Sequence, residues 1–413
     1  MSFRKRNEPL TGNTLTPTPR APSLRTPVNG RVPIAPRNPL ATNVGRGPSP
    51  SVNREKTPEA DSLAANPAIR PSTVTSQPTV STGCADLDKI MMHLGLPLGT
   101  SLLIEETGTT DFASVLLRNF AAQGVMHNRI EKNALHCHVV VIGAPSAWAK
   151  DLPGEYKGSS KDQKKNKIAQ DSSKISVSNM AEKDLKIAWR YGVNGDKTKE
   201  ADQPSSSVNE HYFTQFDITQ RLVPGPSAQE MSFVPIGTSY ATTIAQITQL
   251  VEKHSKQNQV VRIVLAGFLN PSLYAPQCSS PTYIIPFFVS LRALLAKYSN
   301  VVLVASLPLD LYPRESLLTH AFEGFVDGVI HLQPFNPDMA ALVERAYKNE
   351  PSKIQQGLVN IIKVPVLSER GLMMVRNGEY AFRNGRRKFE IEEWGIPVEE
   401  SEEPEQTTKN IDF

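Results

Sequence analysis

Apolar positions along this chain come in short β-branched runs separated by longer stretches with helical periodicity. Ser101-Leu102-Leu103-Ile104 follows the turn Pro97-Leu98-Gly99, and His138 to Ile142 (HVVVI), Val261 to Leu265 and Val301 to Ala305 are uninterrupted. Runs apolar at every position, not at alternate ones, belong to strands covered on both faces. Between them, Phe112, Val115, Leu116 and Phe120 share one helical face over 112–123. Ile244, Ile247 and Val251 share another, and Ile284 to Tyr298 is a third amphipathic stretch. Val326 to Leu332, Leu358 to Val364 and Leu372 to Val375 extend the strand series. Strands alternating with helices predict an α/β fold with a mostly parallel sheet and helices on both faces. Near the end, Tyr380 to Phe389 (YAFRNGRRKF) places Asn384-Gly385 between alternating apolar residues, which predicts a β-hairpin. Its turn gathers Arg383, Arg386, Arg387 and Lys388.

The pattern fails in three places. Residues 1–77 are rich in Pro, Arg, Ser and Asn, with scarcely an apolar cluster. Such a segment buries too little surface to offset its ordering entropy, so a disordered arm is expected. Its basic excess fits either a solvated tail, with Thr-Pro steps such as Thr16-Pro17 open to phosphorylation, or a weak nucleic-acid tether. Residues 151–210 turn polar and lysine-rich, which predicts a flexible insertion anchored only near Trp189. Residues 399–413 read as an acidic disordered tail. The ordered domain is therefore expected over 78–398.

Composition narrows the function. The 413 residues suffice for one large or two ordinary domains, and an apolar fraction of 39% with 33 prolines favours one core with disordered attachments. A net charge of +4 permits a nucleic-acid partner without requiring one. Cys84, Cys137 and Cys278 form no CxxC pair, so neither a disulfide framework nor a zinc site is expected and a reducing compartment is. No apolar run nears the roughly eighteen residues that span a bilayer, so no membrane association is expected. The N-terminal MSFRKR has no apolar stretch behind it, unlike a secretory signal.

One strand–turn–helix carries candidate chemistry. A phosphate-binding P-loop reads G-x-x-x-x-G-K-[ST] between a strand and a helix. The corresponding octet is Glu105-Glu106-Thr107-Gly108-Thr109-Thr110-Asp111-Phe112. Glu105 and Thr110 replace the two glycines that let backbone amides converge on phosphate, leaving Gly108 alone. Phe112 lacks the hydroxyl that would hold magnesium, and Asp111 stands at the lysine position. A unit charge at about 4 Å is worth roughly 4 kcal/mol at an effective dielectric of about 20. Reversing that charge costs about a thousandfold in affinity even after heavy discounting. No acid follows the strand ending at Leu265, where a second metal-supporting carboxylate would sit. The octet is expected not to bind ATP in the usual manner, and an ordinary strand–turn–helix remains the alternative.

Ser81-Thr82-Gly83-Cys84-Ala85-Asp86-Leu87-Asp88 and Gly95-Leu96-Pro97-Leu98-Gly99 resemble the entry to RecA-like domains. With MSFRKR, Phe120 to Gly124, DLKIAWRY, Gln215 to Thr219 (QFDIT), LQPFNPDM and FEIEEWGIPV, the chain resembles the family of Elongator complex subunit four. The resemblance implies a RecA-like fold in a hexameric ring with Elongator subunits five and six. It implies transfer RNA as ligand, attachment to the larger Elongator subunits, and a supporting role in carboxymethyl-type modification of the wobble uridine, in cytoplasm and nucleus. The family has also been tied to transcript elongation. The resemblance further implies no catalytic residue and no cofactor of this chain's own, with ATP placed instead at ring interfaces.

Topology offers two candidate pore loops, 267–286 and 306–316. Tyr274 and Tyr283 in the first are candidates to stack on RNA bases, and Arg314 in the second to meet phosphate. Arg383, Arg386, Arg387 and Lys388 are candidates for RNA phosphates or for a neighbour's nucleotide. Packing of the tyrosines at an interface and a solvated hairpin are the competing readings. Arg262, Trp189 and Trp394 are expected to serve packing. A shared-site ATPase and a recombination-type DNA-binding protein remain rival functions.

Overall fold

The computed structural model describes residues 66–108, 110–132, 134–158, 211–365 and 378–395. The described structure thus begins earlier than the expected 78, at Asn66. That segment is held because Ala68 and Ile69 reach the core and the Asn66 amide donates to the His136 carbonyl at 2.9 Å. Strands β1 (Arg70–Pro71), β2 (Pro78–Val80) and β3 (Leu96–Pro97) form a small antiparallel sheet, with helix α1 (Ala85–Ile90) between the last two.

The main elements follow as β4 (Ser101–Glu106), α2 (Phe112–His127), β5 (Cys137–Ile142), β6 (Pro153–Glu155), β7 (Phe216–Arg221), β8 (Met231–Val234), α3 (Tyr240–Ser255) and β9 (Val260–Leu265). Then come α4 (Pro281–Lys297), β10 (Val301–Pro308), α5 (Leu317–Phe325), β11 (Gly328–Pro334), α6 (Pro337–Ala346), β12 (Gly357–Lys363), β13 (Tyr380–Asn384) and β14 (Phe389–Glu393). Among the described residues they build a nine-stranded sheet in the order β14-β13-β12-β11-β4-β10-β9-β5-β8. From β8 to β11 the neighbours are parallel, and β11 to β14 are antiparallel. The fold is α/β with a large, mixed, mostly parallel sheet, as the strand–helix alternation predicts.

Alternate residues of the central strands enter separate cores, which is why their runs read as wholly apolar. Leu102 and Ile104, Val139 and Val141, and Val302 and Val304 pack on the side of α1 and α2. Leu103, Val140, Ile142, Ile263, Leu265, Leu303 and Ala305 pack on the side of α3, α4 and α5. β4, the strand that precedes the candidate loop, lies between β10 and β11 in the middle of the sheet.

Two boundaries change. Residues 151–158, expected inside the flexible insertion, include β6, which pairs with β7 and thereby closes the two ends of the excursion together. The hairpin forms, but Asn384 pairs with Phe389, so its loop spans 385–388 and not the two-residue turn that Asn-Gly favours. Gly385 N donates back to Lys388 O at 2.9 Å across that loop. The expected strand 372–375, the anchor at Trp189 and the acidic tail lie outside the described residues. Among the described residues no helix is long and apolar enough to cross a membrane.

Candidate functional site

The sequence between β4 and α2 forms a strand–turn–helix, but Glu105 and Glu106 are the last residues of the strand and not part of the loop. Their side chains therefore leave the sheet on opposite faces. Glu106 turns toward the start of α2. Its Oε1 accepts from Phe112 N at 2.9 Å and from Thr110 Oγ1 at 2.7 Å, and Oε2 accepts from Ala113 N at 2.8 Å. The first N–H groups of a helix lack intrahelical partners and carry partial positive charge, which makes them an anion site. Here the anion is the chain's own carboxylate. Burial pushes the Glu106 carboxyl up from its usual range, while the N–H and hydroxyl donors pull it back.

Other residues tighten this arrangement. Gly108 has φ +96°, a conformation that side chains resist. The Phe112 ring meets Phe382 edge-on at 4.8 Å, locking the helix start to β13. Asp111 is the N-cap residue but makes no side-chain cap bond and is exposed. Thr109 lies outside the described residues. Gly267 follows β9 without an acid, and its N–H donates to Ser306 Oγ at 2.9 Å.

On the other face of β4, the Glu105 side chain is 0% exposed and lies 3.5 Å from Arg314 Nη2. The same guanidinium donates through Nε to Glu323 Oε1 at 2.8 Å. Burial raises the Glu105 carboxyl to about 7, Arg314 opposes that rise and Glu323 adds to it. Arg314 is thus committed to two carboxylates and is not the free phosphate ligand expected from its loop. A buried carboxylate requires a counter-charge, and the forked guanidinium reaches both acids at once.

The tyrosine candidates are corrected similarly. Tyr274 is 4% exposed; it donates to Ala266 O at 2.8 Å and packs edge-on against Phe268. Tyr283 is 5% exposed, lies within α4 rather than in a loop, and donates to Gly237 O at 3.1 Å. Neither ring faces solvent, so neither stacks on RNA. Within the hairpin, Arg383 pairs with Glu390 and Glu392, and the Lys388 ammonium sits 4.1 Å from the centre of the Tyr156 ring. Arg386 and Arg387 alone of the four are exposed, and no acid lies in ion-pair distance of them among the described residues.

Arg262 serves packing, as expected, and the Ser-Thr-Gly stretch packs beside it. Arg262 is wholly buried on β9, donates to Ser81 O (2.8 Å) and Phe120 O (3.2 Å), and lies 4.7 Å over the Phe120 ring. Asp88 accepts from Ser81 Oγ, Thr82 N and Thr82 Oγ1 at 2.5, 2.8 and 2.6 Å. Gly83, at φ +80°, lies so close to α2 that a Cβ would come within 2.4 Å of Asn119 O. The Ser-Thr-Gly motif is therefore a packing device joining α1, α2 and the sheet. All three cysteines are buried and free; burial raises Cys84 to about 12 and Cys137 to about 11, so neither is reactive. Among the described residues no group of three or more His, Cys, Asp or Glu could hold a metal.

Comparison with known proteins settles the lineage. A family model described as PAXNEB protein matches residues 62–412. Elongator complex protein 4 of Saccharomyces cerevisiae is 42% identical, with 97% of this chain and 93% of that protein covered. The chain belongs to the Elongator complex protein 4 family. Elongator complex protein 4 of Schizosaccharomyces pombe is 26% identical over 88% of this chain and all of its own length. The human protein of that name is 24% identical over 88% of this chain and 87% of its own.

Stretches by which the chain resembles the Elongator complex protein 4 family have visible structural roles. In LQPFNPDM, Asn336 Oδ1 accepts from Met339 N at 2.8 Å and caps α6, with Pro337 at its first position. In FEIEEWGIPV, Phe389 and Ile391 enter the core and Trp394 packs on Phe335 with ring centroids 5.0 Å apart. In the 120–124 stretch, Gly124 leaves room for the Arg262 side chain, whose Cδ would lie 2.8 Å from an added Cβ.

Proposed function

We propose that the chain is a structural, non-catalytic subunit of an Elongator complex. In this reading it is a RecA-like member of a hexameric ring with subunits five and six. The ring attaches to the larger subunits and presents transfer RNA for carboxymethyl-type modification of the wobble uridine, in cytoplasm and nucleus. Family membership supports the assignment to Elongator, and the parallel sheet with a strand–turn–helix at its centre supports the RecA-like reading. The observation that carries the non-catalytic role is the Glu106 carboxylate on the first N–H groups of α2. A phosphate there would displace a negative charge already bonded by three donors, without a lysine to help. Any ATP response of such a ring falls to interfaces between subunits.

Co-expression with subunits five and six, followed by native mass determination, tests the assembly; a stable monomer overturns it. Isolated chain titrated with ATP is expected to show no saturable binding and no turnover. Turnover that survives purification to homogeneity overturns the non-catalytic reading. Preference for folded transfer RNA over single-stranded DNA of equal length is expected, and equal affinity favours a recombination-type protein instead.

A further inference from the structure

Of the cations that the sequence gathers at the hairpin, Arg386 and Arg387 remain solvent-facing and unpaired by acids among the described residues. Backbone hydrogen bonds tie their loop across itself and to β7. Gly385 N donates to Lys388 O at 2.9 Å across it, and Ile218 N of β7 donates to Arg387 O at 2.8 Å from the side. β13 and β14 anchor it below, where Phe382 and Phe389 stack at 5.7 Å, and Ile391 N donates to Asp86 Oδ2 of α1 at 3.2 Å. With the turn backbone already bonded, meeting phosphate orders only the two side chains, and a guanidinium fork suits phosphate oxygens.

Aromatic surface lies within the same ridge. Lys388 leans on the half-buried Tyr156 ring, and exposed Lys157 follows it. Beside the turn a narrow cleft is lined by Gly83, Asn119, Phe213, Lys388 and Phe389. Its aromatic rings stand beside two amides, Asn119 and Gln215, the Lys388 ammonium and the Glu390 carboxylate, which Arg383 already pairs; rings and amides together suit the flat face and polar edge of a base. Cationic side chains alternating with aromatic rings form the pattern that holds unpaired nucleic acid.

We infer that this ridge, the 385–388 turn with β7 and Tyr156, is a contact surface for RNA. The two arginines take consecutive phosphates of an unpaired stretch, and a base of that stretch enters the neighbouring cleft. The inference rests on the RNA-binding reading given above and names a surface for it away from the α2 N-terminus and from the buried Tyr274 and Tyr283.

The test uses full-length chain, fluorescently labelled transfer RNA and a labelled oligouridine, titrated by anisotropy from about 0.05 to about 0.3 M salt. In single-stranded RNA each phosphate contact contributes about 0.7 to the log–log salt slope. The double substitution R386E/R387E is expected to flatten that slope by about 1.4 or more and to lower affinity about tenfold at about 0.15 M salt. The double substitution R345E/K348E, on the exposed face at the end of α6, matches its charge change and is expected to do much less. Crosslinks from 4-thiouridine should fall on peptides containing Phe213 or Phe389. Wild-type binding with R386E/R387E unchanged in affinity and slope, or matched by R345E/K348E, overturns the inference while leaving the RNA reading intact. Wild-type chain that binds no RNA, alone or assembled with subunits five and six, overturns that reading and the inference with it. A variant that keeps its RNA affinity but loses copurification with partner subunits shows an acidic protein surface to be the occupant, and also overturns it.

Discussion

Substitution of Glu106 probes the closed phosphate loop directly. In Glu106→Ala, Phe112 N and the buried Ala113 N lose their acceptor, and Thr110 Oγ1 loses its own. An unpaired buried donor costs about 1–3 kcal/mol, and the lost charge–dipole attraction at a helix start roughly another 0.3–1. Water reaches the partly open loop, so the sum is roughly 3 kcal/mol and not the upper bound. For a domain of this size that lowers Tm by roughly 6–12 °C. Glu106→Gln keeps one acceptor oxygen and should lose about half as much. The decisive assay adds inorganic phosphate during thermal denaturation. The alanine variant frees the α2 N–H groups, so phosphate at about ten times its Kd should restore about 1.4 kcal/mol, while wild-type chain gains none at that site. Equal stability of Glu106→Ala and wild type, or equal phosphate stabilisation of both, would refute the idea that the carboxylate fills an anion site.

Other perturbations follow from the buried charges. Arg262→Ala leaves two carbonyls and the buried Asp88 without their cation, and urea denaturation should show a loss of about 3–5 kcal/mol, with Arg262→Lys recovering only part because an ammonium lacks the planar group that lies over the Phe120 ring. Arg314→Met should destabilise more at about pH 8 than at about pH 5. Glu105 titrates near 7, so below that it is neutral in the folded chain and needs no counter-charge; equal losses at both pH values would count against the pairing. His138 stacks on His254 at 3.5 Å and burial lowers it to about 4, with His254 also lowered and Lys253 nearby opposing charge. Its unfolded value is higher, so its contribution is complete above about pH 6.5 and is lost as pH falls toward about 4, a drop of roughly 3 kcal/mol that His138→Gln should flatten in an acid titration of stability.

Much of the scaffold was legible in the sequence. The runs at 138–142, 261–265 and 301–305 are β-branched and apolar on both faces because each strand feeds two cores. Less of the site was legible. The octet frame located the right turn, yet it counted Glu105 as a failed glycine and gave Glu106 no role. The structure makes one a buried ion-pair partner and the other the helix cap. Arg262 read as a packing residue, and its fit between Ser81, Phe120 and Gly124 explains how a core holds a guanidinium. The four-residue hairpin loop departs from the Asn-Gly expectation because Arg387 O is held by β7, a strand more than 150 residues earlier in the chain.

What the sequence determined by itself was the alternation of strand and helix and the missing lysine and glycines of the phosphate loop. These depend on local periodicity and on the identity of single residues. Tertiary structure decided which candidates face solvent. Tyr274 and Tyr283 look like loop aromatics until the β9 and α4 segments fold over them, and Arg314 looks like a free cation until β4 brings Glu105 within 3.5 Å. Exposure and ion pairing are properties of elements distant in sequence that meet only on folding, and no local pattern encodes which element will cover which side chain.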